Sequence, residues 1–242
     1  MKLHFELVQA DLILVIVADG NNKVNPFLSG RVGIPAFTNL GVFTVYQFPP
    51  LRNESEGLYD IREIHASDEI ASKFNSFNQH FQLGELIDAE CLKCSRVLVA
   101  VSNGELVAAV ALFDSSPYKQ NVVIHASLFL RMLIRLSKFL PIPRLPGIGE
   151  PIKTLYIKNI FYSAGHETGL TELLAKSRQI ASSGQYHFVS IGVHTKNPIQ
   201  LCLKNLNKFT FKSRGFIASL KGNDSLLQDI ICGVPARDYS LV

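Results

Sequence analysis

The sequence predicts an α+β fold, and three observations carry that prediction. Apolar runs of strand length alternate with segments in which apolar residues recur at helical spacing. The dipeptide Asn103-Gly104 joins two apolar runs and is the strongest hairpin signal in the chain. The stretches 12–46 and 187–220 share one order of apolar strand, polar turn with asparagine, short helix and Gly-aromatic strand, which indicates a repeat.

The composition narrows the classes of function. The 242 residues are 47% hydrophobic, which is enough for one large domain or two small ones. A net charge of +4 is too mild to indicate a nucleic acid partner, and no ladder of aromatic and basic residues accompanies it. An anionic small ligand and an ordinary solvated basic face both remain open.

The cysteines and histidines predict neither a disulfide scaffold nor a metal site. Four cysteines in a chain of this length indicate a reducing compartment, so the expected location is cytoplasmic. Cys91 and Cys94 have ligand-like spacing but lack a second pair, and the scattered histidines form no zinc pattern. The N-terminal apolar run is too short for a signal peptide or a membrane span.

The first elements follow from apolar runs and from the polar residues that end them. Residues 12–18 form a continuous, mostly β-branched run that predicts a buried strand, and the polar turn that follows ends it. A short helical turn precedes an alternating strand at 39–48. Pro49, Pro50 and a polar stretch then predict a linker, so we place a domain boundary between residues 52 and 53.

A second set of elements begins after the linker. It contains a strand at 58–64, a helix capped by Ser67, and the two strands of the Asn103-Gly104 hairpin. The segment 122–140 is apolar and carries Arg131, Arg135 and Lys138 on one face, which predicts a basic helix. Packing on the core with a solvated face is favoured there over contact with a membrane surface.

The stretch "NIFYSAGHETGLTELLAKSRQIASSGQYHFVSIGV" predicts a strand, a glycine-containing turn, a helix and a further strand. Backbone N–H groups at a helix start are unpaired and carry partial positive charge, so this turn predicts a phosphate-binding site. A helix beginning near Pro198 and a strand at 208–220 follow. The tail from residue 226 onward has no assigned structure.

The order of elements from Tyr59 onward resembles the GNAT superfamily of acetyl-CoA-dependent N-acyltransferases. The resemblance implies a mixed, mostly antiparallel twisted sheet flanked by helices. It also implies that the fourth strand, "KTLYIKNIFY", and the fifth, "YHFVSIGV", splay apart to receive the pantetheine arm of acetyl-CoA. The turn "YSAGHETGL" would then bind the pyrophosphate through its backbone N–H groups.

At a finer level, the chain resembles bacterial tandem GNAT proteins. The resemblance rests on Phe113, Asp114 and Ser115, followed by Lys119 and Gln120, and on the basic helix inserted before the fourth strand. It implies a partial first unit at 1–52, from its fifth strand onward. A GNAT-like domain at 53–242 would follow, with the inserted helix at about 122–140. The GNAT-like domain would thus be preceded by a partial second copy of the same fold.

The resemblance implies a set of cofactor-binding positions at the turn and beside the fifth strand. These positions are Phe161, Ser163, Gly165, His166, Glu167, Thr168, Gly169 and Asn197. The family's phosphate turn usually begins with Arg or Gln, but Gly165 stands there and Thr168 replaces the central glycine. Lys204 stands where many members have a tyrosine that protonates the leaving thiolate, so no catalytic residue is assigned.

Two functions follow from the sequence as alternatives. One is an acetyl-CoA-dependent N-acyltransferase, intact or degenerate, that acts on an unidentified small-molecule amine. The other is a catalytically inactive GNAT-like module for binding or dimerisation, and unpaired strand edges would favour self-association into a homo-oligomer. Glu63 and Asp114 are candidate general bases, although ordinary solvation at strand ends is the favoured interpretation of both.

Overall fold

The computed structural model describes residues 10–30, 35–52, 57–125, 127–137, 145–220, 222, 224–236 and 238–240. Within these residues the chain forms ten strands. They are β1 Leu12–Ala18, β2 Thr38–Phe48, β3 Asp60–Ile64, β4 Ser95–Ser102, β5 Glu105–Asp114, β6 Asn121–Val122, β7 Pro151–Ile152, β8 Thr154–Tyr162, β9 Phe188–His194 and β10 Phe209–Ser219.

Seven α-helices accompany the strands in the described residues, and a short 3₁₀ turn at Asn22–Val24 precedes the first. They are α1 Asn25–Leu28, α2 Asp68–Asn78, α3 Ala89–Leu92, α4 Leu128–Ser137, α5 Glu167–Ser183, α6 Ile199–Leu203 and α7 Asp224–Cys232. None of the described helices is both long enough and apolar enough to cross a bilayer.

Eight of the strands form one sheet in the order β1-β10-β2-β9-β8-β5-β4-β3. Every neighbouring pair is antiparallel except β8 and β9, which are parallel. The prediction of a mixed, mostly antiparallel sheet flanked by helices is therefore confirmed. The remaining described strands, β6 and β7, form a separate two-stranded antiparallel sheet.

The N-terminal strands belong to this same sheet. β2 lies between β9 and β10, and Gly41 is directly opposite Gly215 in the β2–β10 pair. β1 adds to the outer side of β10. The boundary expected between residues 52 and 53 therefore falls between strands of one sheet.

Both faces of the sheet are covered. On one face, Leu170, Leu173 and Leu174 of α5 pack on apolar side chains of β4, β5, β8 and β9. On the other face, Phe74 of α2 and Leu92 of α3 pack on Val97, Val99 and Phe161. α7 and the residues after it extend this second face toward β2 and β10. The core is thus divided by the sheet into two layers.

Turn chemistry explains two of the predicted elements. Asn103 and Gly104 both adopt positive φ, at 52° and 83°, as the tight hairpin turn requires. Ser67 caps α2, because its hydroxyl accepts the N–H of Ile70 at 3.4 Å.

The inserted helix differs from its predicted extent. Residues 121–122 form β6, which pairs with β7, and the helix begins only at Leu128. The β-branched run from Val122 to Ile124 favours extended backbone over helix, which explains the late start. The predicted end of the helix, residues 138–140, lies outside the described residues.

Candidate functional site

The parallel strands β8 and β9 separate after a short paired stretch. Their ladder contains only Thr154 with Phe188, Leu155 with Val189, and Tyr156 with Ser190. Both strands continue to Tyr162 and His194, but the described residues show no pairing between them beyond Tyr156. We name this opening the β8–β9 gap. The splay that the resemblance implied is present and begins at Tyr156.

A β-bulge marks the bend of β8 at the start of the gap. Ala111 pairs with Asn159, and the adjacent Leu112 pairs with Ile157, so Lys158 is the extra residue on β8. A bulge bends and twists its strand, which directs β8 away from β9 at this point.

Apolar side chains close the gap on the face covered by α5. Leu170 and Leu174 of α5 and Ile199 and Leu203 of α6 pack on the side chains of β8 and β9 there. The space left between them is a cavity of about 10 Å³. A ligand arm entering from this face would have to displace α6 or these side chains.

The segment after α7 covers the opposite face of the gap. Tyr239 is buried against Gly192 of β9, and a Cβ atom at that glycine would clash with the tyrosine ring. Asp238 forms an ion pair with Lys158 at 3.4 Å, with both side chains largely buried. Gln82 holds the segment through backbone bonds to Val234 and Ala236. The sequence of this segment has no periodic pattern, so it predicts no element there.

A cavity of about 80 Å³ remains between the gap and this covering segment. Its wall combines apolar residues of α2 and β9 with polar groups. The polar lining comes from Asn78, Glu85, Lys158, Asn159, Asn197 and Asp238. The cavity is large enough for a small polar group, since a water molecule occupies about 30 Å³ in the liquid.

Ser190 is an unsatisfied polar group at the start of the gap. Its hydroxyl is fully buried and has no hydrogen-bond partner among the described residues. Because strand side chains alternate, Ser190 faces the same side as Gly192, toward the segment after α7. A buried hydroxyl left without a partner costs about 1–3 kcal/mol, so a ligand atom that reached it would recover free energy.

The turn after β8 has the backbone geometry of a tight connection into α5. The Ser163 N–H donates to Val107 at 2.8 Å, and the His166 N–H donates to Ser163 at 3.0 Å. Gly165 has φ of +82°, a conformation that side-chain-bearing residues rarely adopt. Glycine therefore suits this position of the turn.

Glu167 occupies the place where an anion would be expected. It is exposed in the first turn of α5, and its carboxylate accepts the Gly165 N–H at 3.3 Å. Acidic residues are favoured at helix starts because they complement the dipole. In this turn, the helix start is complemented by the chain's own carboxylate.

His166 contacts a tyrosine that sequence analysis did not identify. The Tyr59 hydroxyl lies 3.2 Å from His166 Nδ1, and the two rings meet edge to face. Tyr59 also packs against Gly169 of α5. The two partners are 107 residues apart in sequence, so no local pattern could have paired them.

The remaining predicted positions lie around the turn and at the end of β9. Asn197 is buried, and its side-chain oxygen accepts the Ile199 N–H at 3.0 Å. Phe161 packs on α2 rather than at the turn, and Thr168 is exposed in the first turn of α5. The turn residues and Asn197 lie at the same edge of the sheet, because β8 and β9 are parallel and both end there.

His194, at the end of β9, is held as a neutral ring. Its Nε2 lies 3.0 Å from the Leu40 carbonyl and donates to it, while its Nδ1 accepts the Lys196 N–H at 3.2 Å. Burial lowers its pKa. The ring also packs edge-on against Phe43. His194 therefore supports the junction of β2 with β9.

Both candidate general bases, Glu63 and Asp114, are held by hydrogen bonds within the protein. Arg96 donates two hydrogen bonds to Glu63, and these lower the pKa of that carboxyl. Burial opposes ionisation of Asp114, but hydrogen bonds from Ser116 and Tyr186 outweigh it and lower its pKa. Lys204 is exposed at the end of α6. The described residues hold no cluster of three or more His, Cys, Asp or Glu side chains suited to a metal.

Comparison with known proteins gives matches only among solved structures, since no family model and no curated protein matches this chain. A GCN5-related N-acetyltransferase from Kribbella flavida is 11% identical with a TM-score of 0.54, over 93% of this chain and 74% of that one. A functionally unknown protein from Staphylococcus epidermidis is 13% identical with a TM-score of 0.51, over 90% and 76%.

A third structure is similar at a lower level. Saccharomyces cerevisiae N-myristoyltransferase with bound myristoyl-CoA is 8% identical with a TM-score of 0.47, over 74% of this chain and 50% of that one. The chain therefore spans about half the length of that enzyme. The match to the Kribbella flavida structure, the sheet order and the separation of β8 from β9 together identify the fold of this chain as that of the GNAT acetyltransferases.

Proposed function

We propose that the protein is an acyl-CoA-dependent N-acyltransferase of low cofactor affinity that acts on a small-molecule amine, with acetyl-CoA as the simplest donor. The observation that carries the proposal is the separation of β8 and β9 at the sheet edge where α5 begins. One acyl-CoA molecule could then place its pyrophosphate at the start of α5 and its thioester in the β8–β9 gap.

The chemistry required of the gap is modest. The amine nitrogen attacks the thioester carbonyl carbon, the new C–N bond forms, and the C–S bond breaks. The amine proton then neutralises the departing thiolate. Backbone N–H groups of β8 that face the gap beyond Tyr156 are suited to hold the carbonyl oxygen as it gains charge. Holding both reactants in place accounts for the rest of the rate enhancement.

The low affinity follows from the turn. A helix start alone contributes about 0.3–1 kcal/mol toward a surface anion, and a charge-assisted bond from an arginine would add about 1.5–3 kcal/mol. Gly165 supplies no such group, and the Glu167 carboxylate is bound to the Gly165 N–H. A pyrophosphate that binds here must therefore displace the negatively charged Glu167 carboxylate from the Gly165 N–H.

A second candidate function is a GNAT-like binding or dimerisation module without catalysis. It is favoured by the covering of the gap on both faces, by Tyr239 on one side and by α6 on the other. It also fits the hydrogen bonds that Arg96 donates to Glu63 and Tyr186 donates to Asp114.

We also propose that residues 1–52 are the closing part of a first GNAT unit. The order β1-β10-β2-β9 alternates strands from the two ends of the chain, as expected if matching strands of two units had been exchanged. The repeat between 12–46 and 187–220 supports the same interpretation.

Thermal unfolding with acetyl-CoA, combined with a thiol-release assay on a panel of amines, tests these proposals. A ligand at a hundredfold excess over its Kd adds about 2.7 kcal/mol. At about 2–4 °C per kcal/mol, this corresponds to a rise in Tm of about 5–10 °C. An unchanged Tm at millimolar acetyl-CoA, together with no thiol release from any amine, would remove the acyltransferase proposal. A raised Tm without thiol release from any amine would support the binding module.

A further inference from the structure

The inserted helix α4 has one buried face and one apolar exposed face. Ile134 and Ser137 are buried, so the helix is packed against the protein. Leu128, Met132 and Leu136 recur every four residues and are 79%, 70% and 51% exposed. At this spacing they lie in a single row along the helix. We name this row the α4 stripe.

Further exposed apolar residues belong to the same insertion. Ile124 is 88% exposed, and Val122 and Ile148 are also exposed. The Gly149 N–H donates to the Val123 carbonyl at 3.0 Å, which places Ile148 beside the segment that leads into α4. Scattered exposed apolar residues are ordinary, but a contiguous exposed group marks an interaction surface.

All charged residues between Asp114 and Glu150 are cationic. Between Asp114 and Glu150 the sequence contains no acidic residue. It contains five cationic ones, Lys119, Arg131, Arg135, Lys138 and Arg144. Arg131 and Arg135 are exposed and precede Met132 and Leu136 directly, so they form a row beside the α4 stripe. An exposed apolar row next to a cationic row is the pattern of a helix that lies in a membrane interface.

We propose that α4 binds the surface of a bilayer containing anionic lipids. Its stripe would lie at the boundary of the acyl chains, and Arg131 and Arg135 would contact the headgroup phosphates. The helix has ten residues and is about 15 Å long, which suits a helix lying in the interface plane. A second copy of the chain is disfavoured as the occupant, because a symmetric contact would bring the arginines of both copies together. This inference concerns location and goes beyond the proposed function.

Co-sedimentation of the full chain with vesicles tests the proposal. We expect binding to vesicles of phosphatidylcholine with about a third phosphatidylglycerol, and little binding to phosphatidylcholine alone. The double variant Arg131→Glu/Arg135→Glu should weaken binding at least about tenfold. The control Lys204→Glu/Lys212→Glu makes the same charge change at exposed positions elsewhere and should bind like the parent.

Insertion of the stripe needs a separate readout, and the absence of tryptophan from the chain provides it. Met132→Trp should show a blue-shifted emission on anionic vesicles and quenching by brominated acyl chains. Leu201→Trp, at an exposed position on α6, should show neither effect.

Three results would overturn the proposal. One is equal binding by the two charge-reversed double variants, and another is vesicle binding without a blue shift at residue 132. The third is failure to bind anionic vesicles together with a concentration-dependent dimer that Met132→Ser abolishes. That result would assign the surface to self-association. Circular dichroism of each variant verifies that it is folded.

Discussion

At the residue scale, the turn into α5 is controlled by two neighbouring positions. Gly165 adopts a positive φ that residues with side chains rarely adopt, and the Glu167 carboxylate accepts the Gly165 N–H that we propose for phosphate binding. The proposed anion site therefore consists of backbone N–H groups, with the Glu167 carboxylate as a competing charge beside them. We therefore expect the charge of Glu167 to influence cofactor affinity more than the conformation of the turn does.

Glu167→Gln is expected to strengthen acetyl-CoA binding about fivefold. Two like charges about 4 Å apart in water repel by about 1 kcal/mol, and the substitution removes one of them at nearly constant volume. Isothermal titration calorimetry at low salt measures the change, and added salt should reduce it. Glu105→Gln, at the exposed hairpin, is the matched control. Equal affinities for parent and Glu167→Gln would contradict a role for this charge.

Ser190→Ala separates stability from ligand binding. Removal of a buried hydroxyl that has no partner should leave the free energy of unfolding unchanged or raise it by up to about 1 kcal/mol. If a thioester or acceptor group uses the hydroxyl, the same change should weaken acetyl-CoA binding. Urea unfolding and titration calorimetry report the two effects. A variant that is destabilised by more than about 1 kcal/mol would imply a structural role for the hydroxyl.

At the element scale, the paired end of β8 and β9 is tied to the end of β5. The Tyr186 hydroxyl, just before β9, donates to Asp114 at 2.9 Å, and Ser116 donates to the same carboxylate. Burial and the Asp114 bond raise the pKa of Tyr186 to about 12. This contact fixes the closed end of the β8–β9 gap, opposite the end that opens.

The stability that Asp114 contributes should depend on pH. Its folded-state pKa lies below the usual value of about 3.9, so the contribution is present above pH 3.9 and is lost as pH falls through the folded pKa. Asp114→Asn should cost about 1 kcal/mol at pH 6, a figure discounted for partial exposure. Urea unfolding should show the difference between parent and variant shrinking as the pH falls through the folded-state pKa of Asp114. A difference that persists at low pH would contradict the ionic origin.

At the scale of the whole molecule, local patterns predicted most elements but not their neighbours in the sheet. Apolar runs and the Asn103-Gly104 turn were sufficient for the eight strands of the large sheet and for the hairpin, but not for β6 and β7. The position of β2 between β9 and β10 depends on residues at opposite ends of the chain, as does the contact between Tyr59 and His166. The segment containing Tyr239 has no periodicity, so its position over the gap could not be predicted.

Deletion of residues 1–52 tests whether the expected boundary separates two folding units. The deletion removes β2 from the middle of the sheet and leaves β9 and β10 with unpaired edges. We expect the remaining chain to lack a cooperative thermal transition and to aggregate. Calorimetry and light scattering measure both properties. A soluble fragment 53–242 with a sharp transition would instead establish that region as an independent domain.

The interleaved order of the strands also constrains how the protein is made. During translation β1 and β2 leave the ribosome before β9 and β10, although these strands are their neighbours in the sheet. The segment containing β1 and β2 must therefore remain without its sheet neighbours until β9 and β10 have been synthesised. Non-local strand pairing of this kind forms slowly. We therefore expect the nascent chain to depend on chaperones that shield its exposed strand edges.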